Sequence, residues 1–311
     1  MIRLLLRRAV LAAATAIGVV LLVSGLLSAI PGDPVDAILG ERAAVADREA
    51  LRSSLGLDRP APERVLRYAL GVLHGDLGTS LVSGRPVADL LRERWPATAA
   101  LALAATALAV AIGLPLGLLA AASPGGLADR ASLGLATFSA SLPSFALGPL
   151  LVLAFAVHLP WFPVSGRSGP SSLVLPATTL ALGMAAVLAR HLRGAMIDAL
   201  ATDALRAARA RGVPTARLFL VHALRLAATP AVTVLALQAG GLLAGAVVTE
   251  TVFAWPGLGR LLVQAIGSRD LPVVQGCALA IALTFVAANL AADVAQVLLD
   301  PRTGARDGST A

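Results

Sequence analysis

Residues 97–122 read ATAALALAATALAVAIGLPLGLLAAA, twenty-six positions without one ionisable side chain. As an α-helix rising about 1.5 Å per residue, the stretch would be roughly 39 Å long, more than the roughly 30 Å of hydrocarbon in a bilayer. It has no polar face to turn toward water, and only an α-helix or a closed barrel satisfies its own backbone groups in lipid. The run ends in Ser123-Pro124-Gly125-Gly126, where Pro and Gly break the helix. The bilayer is therefore the solvent for this segment, and the fold class it implies is all-α.

Five more apolar runs lie on either side of it. The predicted spans are residues 9–30, 97–122, 132–157, 173–192, 228–248 and 273–299, about six transmembrane helices in a polytopic chain read as one domain over residues 1–311. The first follows Arg3, Arg7 and Arg8 like a secretory signal, but its apolar stretch exceeds the 7–15 residues of a signal core, so it is read as an uncleaved span. Residues 31–96 are mixed and charged, a long extracytoplasmic segment in which 49–57 and 63–73 carry apolar residues at the spacing of short amphipathic helices. Pro143 and Pro149 interrupt the third run and predict kinks repaired by neighbouring helices. Residues 158–172, with Trp161 and Phe162, suit an interfacial loop, and residues 249–272 form a polar and aromatic break.

Composition agrees. Apolar residues make up 57% of the 311 positions and charged residues 14%, far from a soluble domain. The net charge of +7 would suggest nucleic acid in a soluble protein, but here the cations sort by membrane side, and no nucleic-acid partner is expected. With the N-terminus inside, the inner pieces hold Arg3, Arg7, Arg8, Arg130, Arg190, Arg193, Arg206, Arg209, Arg211, Arg217, Arg225, Arg302 and Arg306. The short outer loops hold only Arg167, Arg260 and Arg269. Both termini are therefore expected on the cytoplasmic side.

All 25 basic residues are Arg. A P-loop places a Lys on the nucleotide phosphates, so a chain without Lys carries no ordinary P-loop, and any ATP it depends on is hydrolysed by a partner. Cys277 is the sole cysteine and sits in an apolar run, which excludes an intrachain disulfide. His74, His158, His191 and His222 are scattered without metal spacing.

Residues 193–227 form the one long basic loop. Asp203-Ala204-Leu205-Arg206-Ala207-Ala208-Arg209-Ala210-Arg211-Gly212 predicts a short helix stopped by Gly212 and Pro214, and a second helical stretch follows over 215–226. Such a hairpin can dock into a groove of another protein and convey motion to the spans, or it can simply meet acidic lipid. The pattern alone leaves both open.

The chain resembles, nearly end to end, the permease subunits of binding-protein-dependent ABC importers, specifically the peptide and nickel branch. The residues that carry the likeness are Pro31-Gly32-Asp33-Pro34, Leu55-Gly56-Leu57-Asp58-Arg59-Pro60, His74-Gly75-Asp76-Leu77-Gly78, Pro96-Ala97-Thr98, Ser141-Leu142-Pro143, Phe162-Pro163-Val164-Ser165-Gly166 and Leu175-Pro176-Ala177. Then come Glu250-Thr251-Val252-Phe253-Ala254-Trp255-Pro256-Gly257-Leu258-Gly259, Arg269-Asp270 and Leu299-Asp300-Pro301-Arg302. Their order over the whole length is what makes the likeness specific.

The resemblance implies a type I ABC importer permease fold in a bacterial inner membrane. It implies that the 193–227 loop couples to ATPase subunits, with Asp203, Ala207, Ala208 and Gly212 in the family signature and Arg206, Arg209 and Arg211 inside it. Arg206 stands where the general signature begins with Glu. The implied partners are a second homologous permease, two ATP-binding subunits, an extracytoplasmic substrate-binding protein and the lipid bilayer. ATP and Mg would be used by the ATPases, and this chain would bind no cofactor and do no covalent chemistry. Di- or oligopeptides, glutathione-like peptides included, are the implied cargo, with nickel or a metal chelate as the alternative.

Pathway candidates are Gln238, Gly241, Gly245 and Glu250. Gly241 and Gly245, like Gly113 and Gly117, have the small-xxx-small spacing of close helix contacts. Glu250 is read at the water boundary, between Thr249 and Thr251 and just before Trp255-Pro256-Gly257, as a structural or pathway carboxylate. Two other classes fit less well. An intramembrane hydrolase needs a nucleophile and base at one depth, whereas the His residues fall at span ends or in loops; a secondary transporter needs a mid-membrane ionisable relay, which is missing.

Overall fold

The computed structural model of the chain describes residues 2–29, 45–54, 58, 60–141 and 144–299. Within them the chain is helical: α1 (Ile2–Ala29), α2 (Val45–Ser54), α3 (Ala61–Leu73), α4 (Val87–Ala122), α5 (Leu127–Ser141), α6 (Ser144–Leu151), α7 (Val174–Leu200), α8 (Asp203–Ala210), α9 (Leu224–Val252), α10 (Leu258–Gly267) and α11 (Leu271–Leu299). A π-helical segment, Val152–His158, continues α6, and a turn, Thr215–Arg217, with a second π segment, Leu218–Ala223, leads into α9. Extended pairing among the described residues is confined to one bridge, Thr79 with Pro86.

The described residues of all six predicted runs are helical. Among the described residues four helical stretches are long and apolar enough to cross a bilayer: Val87–Ala122, Pro170–Leu200, Thr215–Leu242 and Leu271–Ala291. The first run contains the shorter apolar piece Ala13–Gly25, and the third overlaps Phe145–His158, which ends one residue beyond it. The third run is divided at residues 142–143, which lie outside the described residues with much of Pro143's predicted kink. The motifs at 31–34, 55–57, 59 and 300–302 lie outside them as well.

Several boundaries differ from expectation, because a helix does not end where the membrane does. α4 starts at Val87, ten residues inside the segment predicted as extramembrane, and α7 continues past residue 192 to Leu200. The break predicted over 249–272 contains α10.

The chain packs as two compact units. The first comprises Met1–Ala99 with Ala254–Val286, the second Ala100–Phe253 with Ala287–Ala311. In the first, Val87 and Leu91 of α4, Leu258 and Ala265 of α10, and Val273, Val274 and Cys277 of α11 form one apolar core. Two bonds pin the turn before α10 to α4: Trp255 Nε1 donates to the Ala97 carbonyl at 2.9 Å, and the Thr98 hydroxyl accepts from Leu258 N at 2.8 Å. Asp270, at the head of α11, accepts from the Ser80 hydroxyl at 2.5 Å and from Leu81 N at 3.1 Å, which ties the 79–86 turn to that helix.

In the second unit α7 is central and runs against α9. Leu188, Leu192 and Met196 of α7 share a core with Ala121 of α4, Leu205 and Ala208 of α8, and Ala227 and Ala231 of α9. α4 approaches α7 at Gly113 and Gly117. A Cβ at either would stand 2.8 Å from the carbonyl oxygens of Ala185 and Ala189 respectively, so only glycine permits this packing. At the other predicted glycine pair the outcome differs: Gly245 would meet only Leu180, at 3.4 Å, and Gly241 faces open space.

Candidate functional site

Two features of the second unit carry the residues singled out in the sequence. The first is α8. Thr202 precedes it in an extended conformation, its hydroxyl donating to the Ala199 carbonyl at 2.7 Å, and Asp203 in the first turn favours the helix dipole. Helical spacing then sends Leu205 and Ala208 inward to the core, while Asp203, Arg206, Ala207, Arg209 and Arg211 are exposed. Burying Leu205 is worth about 2 kcal/mol and holds this short helix against α7. The exposed charges stabilise little: Arg206 and Asp203 pair at 3.3 Å across 69% and 97% exposed side chains.

The end of α8 is closed by a complete Schellman arrangement. Gly212 has φ +83°, Gly212 N donates to the Arg209 carbonyl at 3.0 Å, and Val213 N donates to the Ala208 carbonyl at 3.3 Å. Val213 packs on the core that holds Ala208. Gly212 is thus required by its left-handed backbone and not by crowding, since a Cβ there would meet nothing within 4 Å.

Sequence reasoning missed the clamp beside this helix. Arg193 Nη2 donates to Asp129 Oδ2 at 2.8 Å, with Nε 2.5 Å from Oδ1, and Gly125 N donates to the same Oδ2 at 2.7 Å. Asp129 is 3% exposed. The Arg193 guanidinium first, and the Gly125 N–H second, hold its carboxyl below the usual carboxylate range. The turn between α4 and α5 is thereby fixed to α7, ten residues before the start of α8.

The second feature is a cleft of about 370 Å³ between α7, α9 and the α5–α6 segment. This is within the size range of small-molecule sites. Gln238, Gly241 and Gly245, three of the four pathway candidates, line it together with Leu180, Gly183 and Arg190. Glu250 does not. It is fully buried near the end of α9. Among the described residues no group of three His, Cys, Asp or Glu could hold a metal.

Comparison with known proteins follows the same lines. Residues 113–305 match the family model described as binding-protein-dependent transport system inner membrane component, and residues 1–102 match its N-terminal companion, binding-protein-dependent transport system membrane component. The chain is 40% identical over 334 residues to the dipeptide transport system permease protein DppB of Escherichia coli (strain K12), covering 97% of this chain and 98% of that one. It is 40% identical over 272 residues to the glutathione transport system permease protein GsiC of Pectobacterium atrosepticum, covering 88% and 89%. The GsiC protein of Escherichia coli (strain K12) gives the same identity and coverage.

Proposed function

Because this chain belongs to the family of binding-protein-dependent inner membrane transport components, we propose that it forms half of the pathway of an ATP-driven importer for di- or oligopeptides. It is a multi-pass inner-membrane permease of the ABC importer type. The observation that carries the cargo is the end-to-end likeness to DppB, a dipeptide permease by name, together with the likeness to the glutathione permeases. No metal appears in those names, so peptide is chosen over nickel.

The chain itself does no covalent chemistry and binds no cofactor. ATP and Mg are used by two ATPase subunits, a homologous permease supplies the other half of the pathway, and an extracytoplasmic binding protein delivers the peptide. Both termini and α8 face the cytoplasm, in accord with the placement of arginine. The exposed face of α8, with Asp203, Arg206, Ala207, Arg209 and Arg211, docks on the ATPases, while Leu205 and Ala208 join it to α7. Movement of α8 then reaches the cleft beside Gln238, Gly241 and Gly245, and Glu250 acts as a buried structural carboxylate at its far end.

The test is mild-detergent purification of the tagged chain from its native membrane, with identification of what accompanies it. Two ATPases and a second permease are the expected company, and a binding protein from the same system should retain peptides. Recovery of the chain alone from several mild detergents would overturn the reading.

A further inference from the structure

The polar groups of the α7–α9 cleft are gathered at one end. The two helices run antiparallel: Leu180 lies against Gly245, while farther along Leu188, Leu192 and Met196 share a core with Leu235, Ala231 and Ala227. Gln238 and Arg190 therefore lie toward the same end of the cleft, and Leu180 and Gly245 toward the other. Arg190 continues the helical stripe formed by Gly183 and Val187, which places it on the face that lines the cleft.

Arg190 is the one ionisable residue of that lining, which includes no carboxylate. Among the described residues neither an ion pair nor a hydrogen bond engages its guanidinium. Arg193, three residues on, is by contrast committed to Asp129. The Thr179 hydroxyl in the lining donates to the Leu175 carbonyl at 2.8 Å, which leaves the Gln238 amide as the second available polar group. An anion entering here meets a planar donor fork and an amide, with apolar walls beyond; a cation meets repulsion.

We propose that this cleft holds the C-terminal carboxylate of the peptide in transit, with Arg190 as the group that receives it and Gln238 as a second donor. The proposal rests on the reading of the chain as a peptide permease and adds which end of the peptide the pathway recognises. A free carboxylate can accept two parallel bonds from the guanidinium; a C-terminal amide cannot. The apolar end, around Leu180 and Gly245, then takes side chains without demanding one in particular.

The experiment uses the whole importer in proteoliposomes with its binding protein, and compares uptake of one peptide as the free acid and as its C-terminal amide. Because the binding protein is the same throughout, the quantity read is the change in the acid-to-amide ratio between permease variants. Arg190→Gln should lower that ratio about tenfold, as expected for loss of a charged hydrogen-bonded contact, and Arg190→Lys should restore most of it. Arg190→Glu should shift preference toward the amide. If the wild-type importer carries peptides and Arg190→Gln reduces both forms equally, or neither, the carboxylate role is overturned and a lipid or packing role replaces it. If the wild-type importer carries neither form, the peptide reading itself falls, and this inference with it.

Discussion

Arg193 holds Asp129 through two of its nitrogens across 64 residues of chain, at a carboxylate that is 3% exposed. Removing one partner of the pair strands the other, so Arg193→Met should lower the unfolding midpoint and Asp129→Asn should lower it less, because the amide oxygen can still accept from Gly125. The double variant should be less damaged than the sum of the two. Thermal unfolding of all three in mild detergent measures the coupling, and strict additivity would remove Arg193 from any role beside Asp129.

The same pair sets a pH dependence. The Asp129 carboxyl titrates below its unfolded value of about 3.9, so its contribution is complete above that pH and is lost as pH falls through the depressed folded value. Wild-type unfolding midpoints should drop more steeply below about pH 4 than those of Asp129→Asn. Parallel curves would show that other carboxylates dominate acid unfolding.

Gly212 should respond to backbone preference and not to size. Asn tolerates a left-handed conformation, whereas Leu and Val resist it by about 1–2 kcal/mol. Gly212→Asn should retain most uptake, and Gly212→Leu should lose it while the protein remains in the membrane, as followed by immunoblotting and peptide transport. Equal uptake in both variants would separate the end of α8 from coupling.

The two glycine pairs should behave oppositely. Gly117→Ala drives a methyl group toward the Ala189 carbonyl and should lower membrane abundance severalfold, while Gly241→Ala enters open space and should leave abundance unchanged or slightly raised. Quantitative immunoblots of membranes decide it.

The turn before α10 offers a further check. Trp255→Phe removes the indole N–H that donates to the buried Ala97 carbonyl, and Thr98→Val removes the hydroxyl that accepts from Leu258 N. Each should cost about 1–2 kcal/mol. Thermal unfolding without change in either variant would mean that the carbonyl and amide find other partners.

How much of this was legible follows from what each feature leaves in the sequence. The apolar runs were plain because charge is excluded from hydrocarbon, so residues 97–122 announce a span unaided. Gly212 was legible for a similar reason: a Gly and then a Pro after an Ala- and Arg-rich run has few uses other than a helix stop. The continuation of α7 to Leu200 was hidden because Arg190, His191 and Arg193 mark a membrane edge, and a helix crosses that edge without notice. The Asp129–Arg193 clamp has no periodicity to reveal it. α10 was obscured by Gly257, Gly259 and Gly267 around a helix of ten residues. Of the pathway candidates, Gln238 and Gly245 were found through polarity and size, whereas the enclosure of Glu250 depends on neighbours from elsewhere in the chain.

The first compact unit joins two stretches of chain separated by residues 100–253, and the Ser80–Asp270 contact joins positions 190 apart. On a ribosome adding about 5–20 residues per second, Asp270 emerges on the order of ten to forty seconds after Ser80. For that interval the 79–86 turn must wait without its partner. Residues 100–253 of the second unit emerge meanwhile, so a nascent chain released before residue 254 would carry the α8 lever while its first unit lacked everything that α10 and α11 supply.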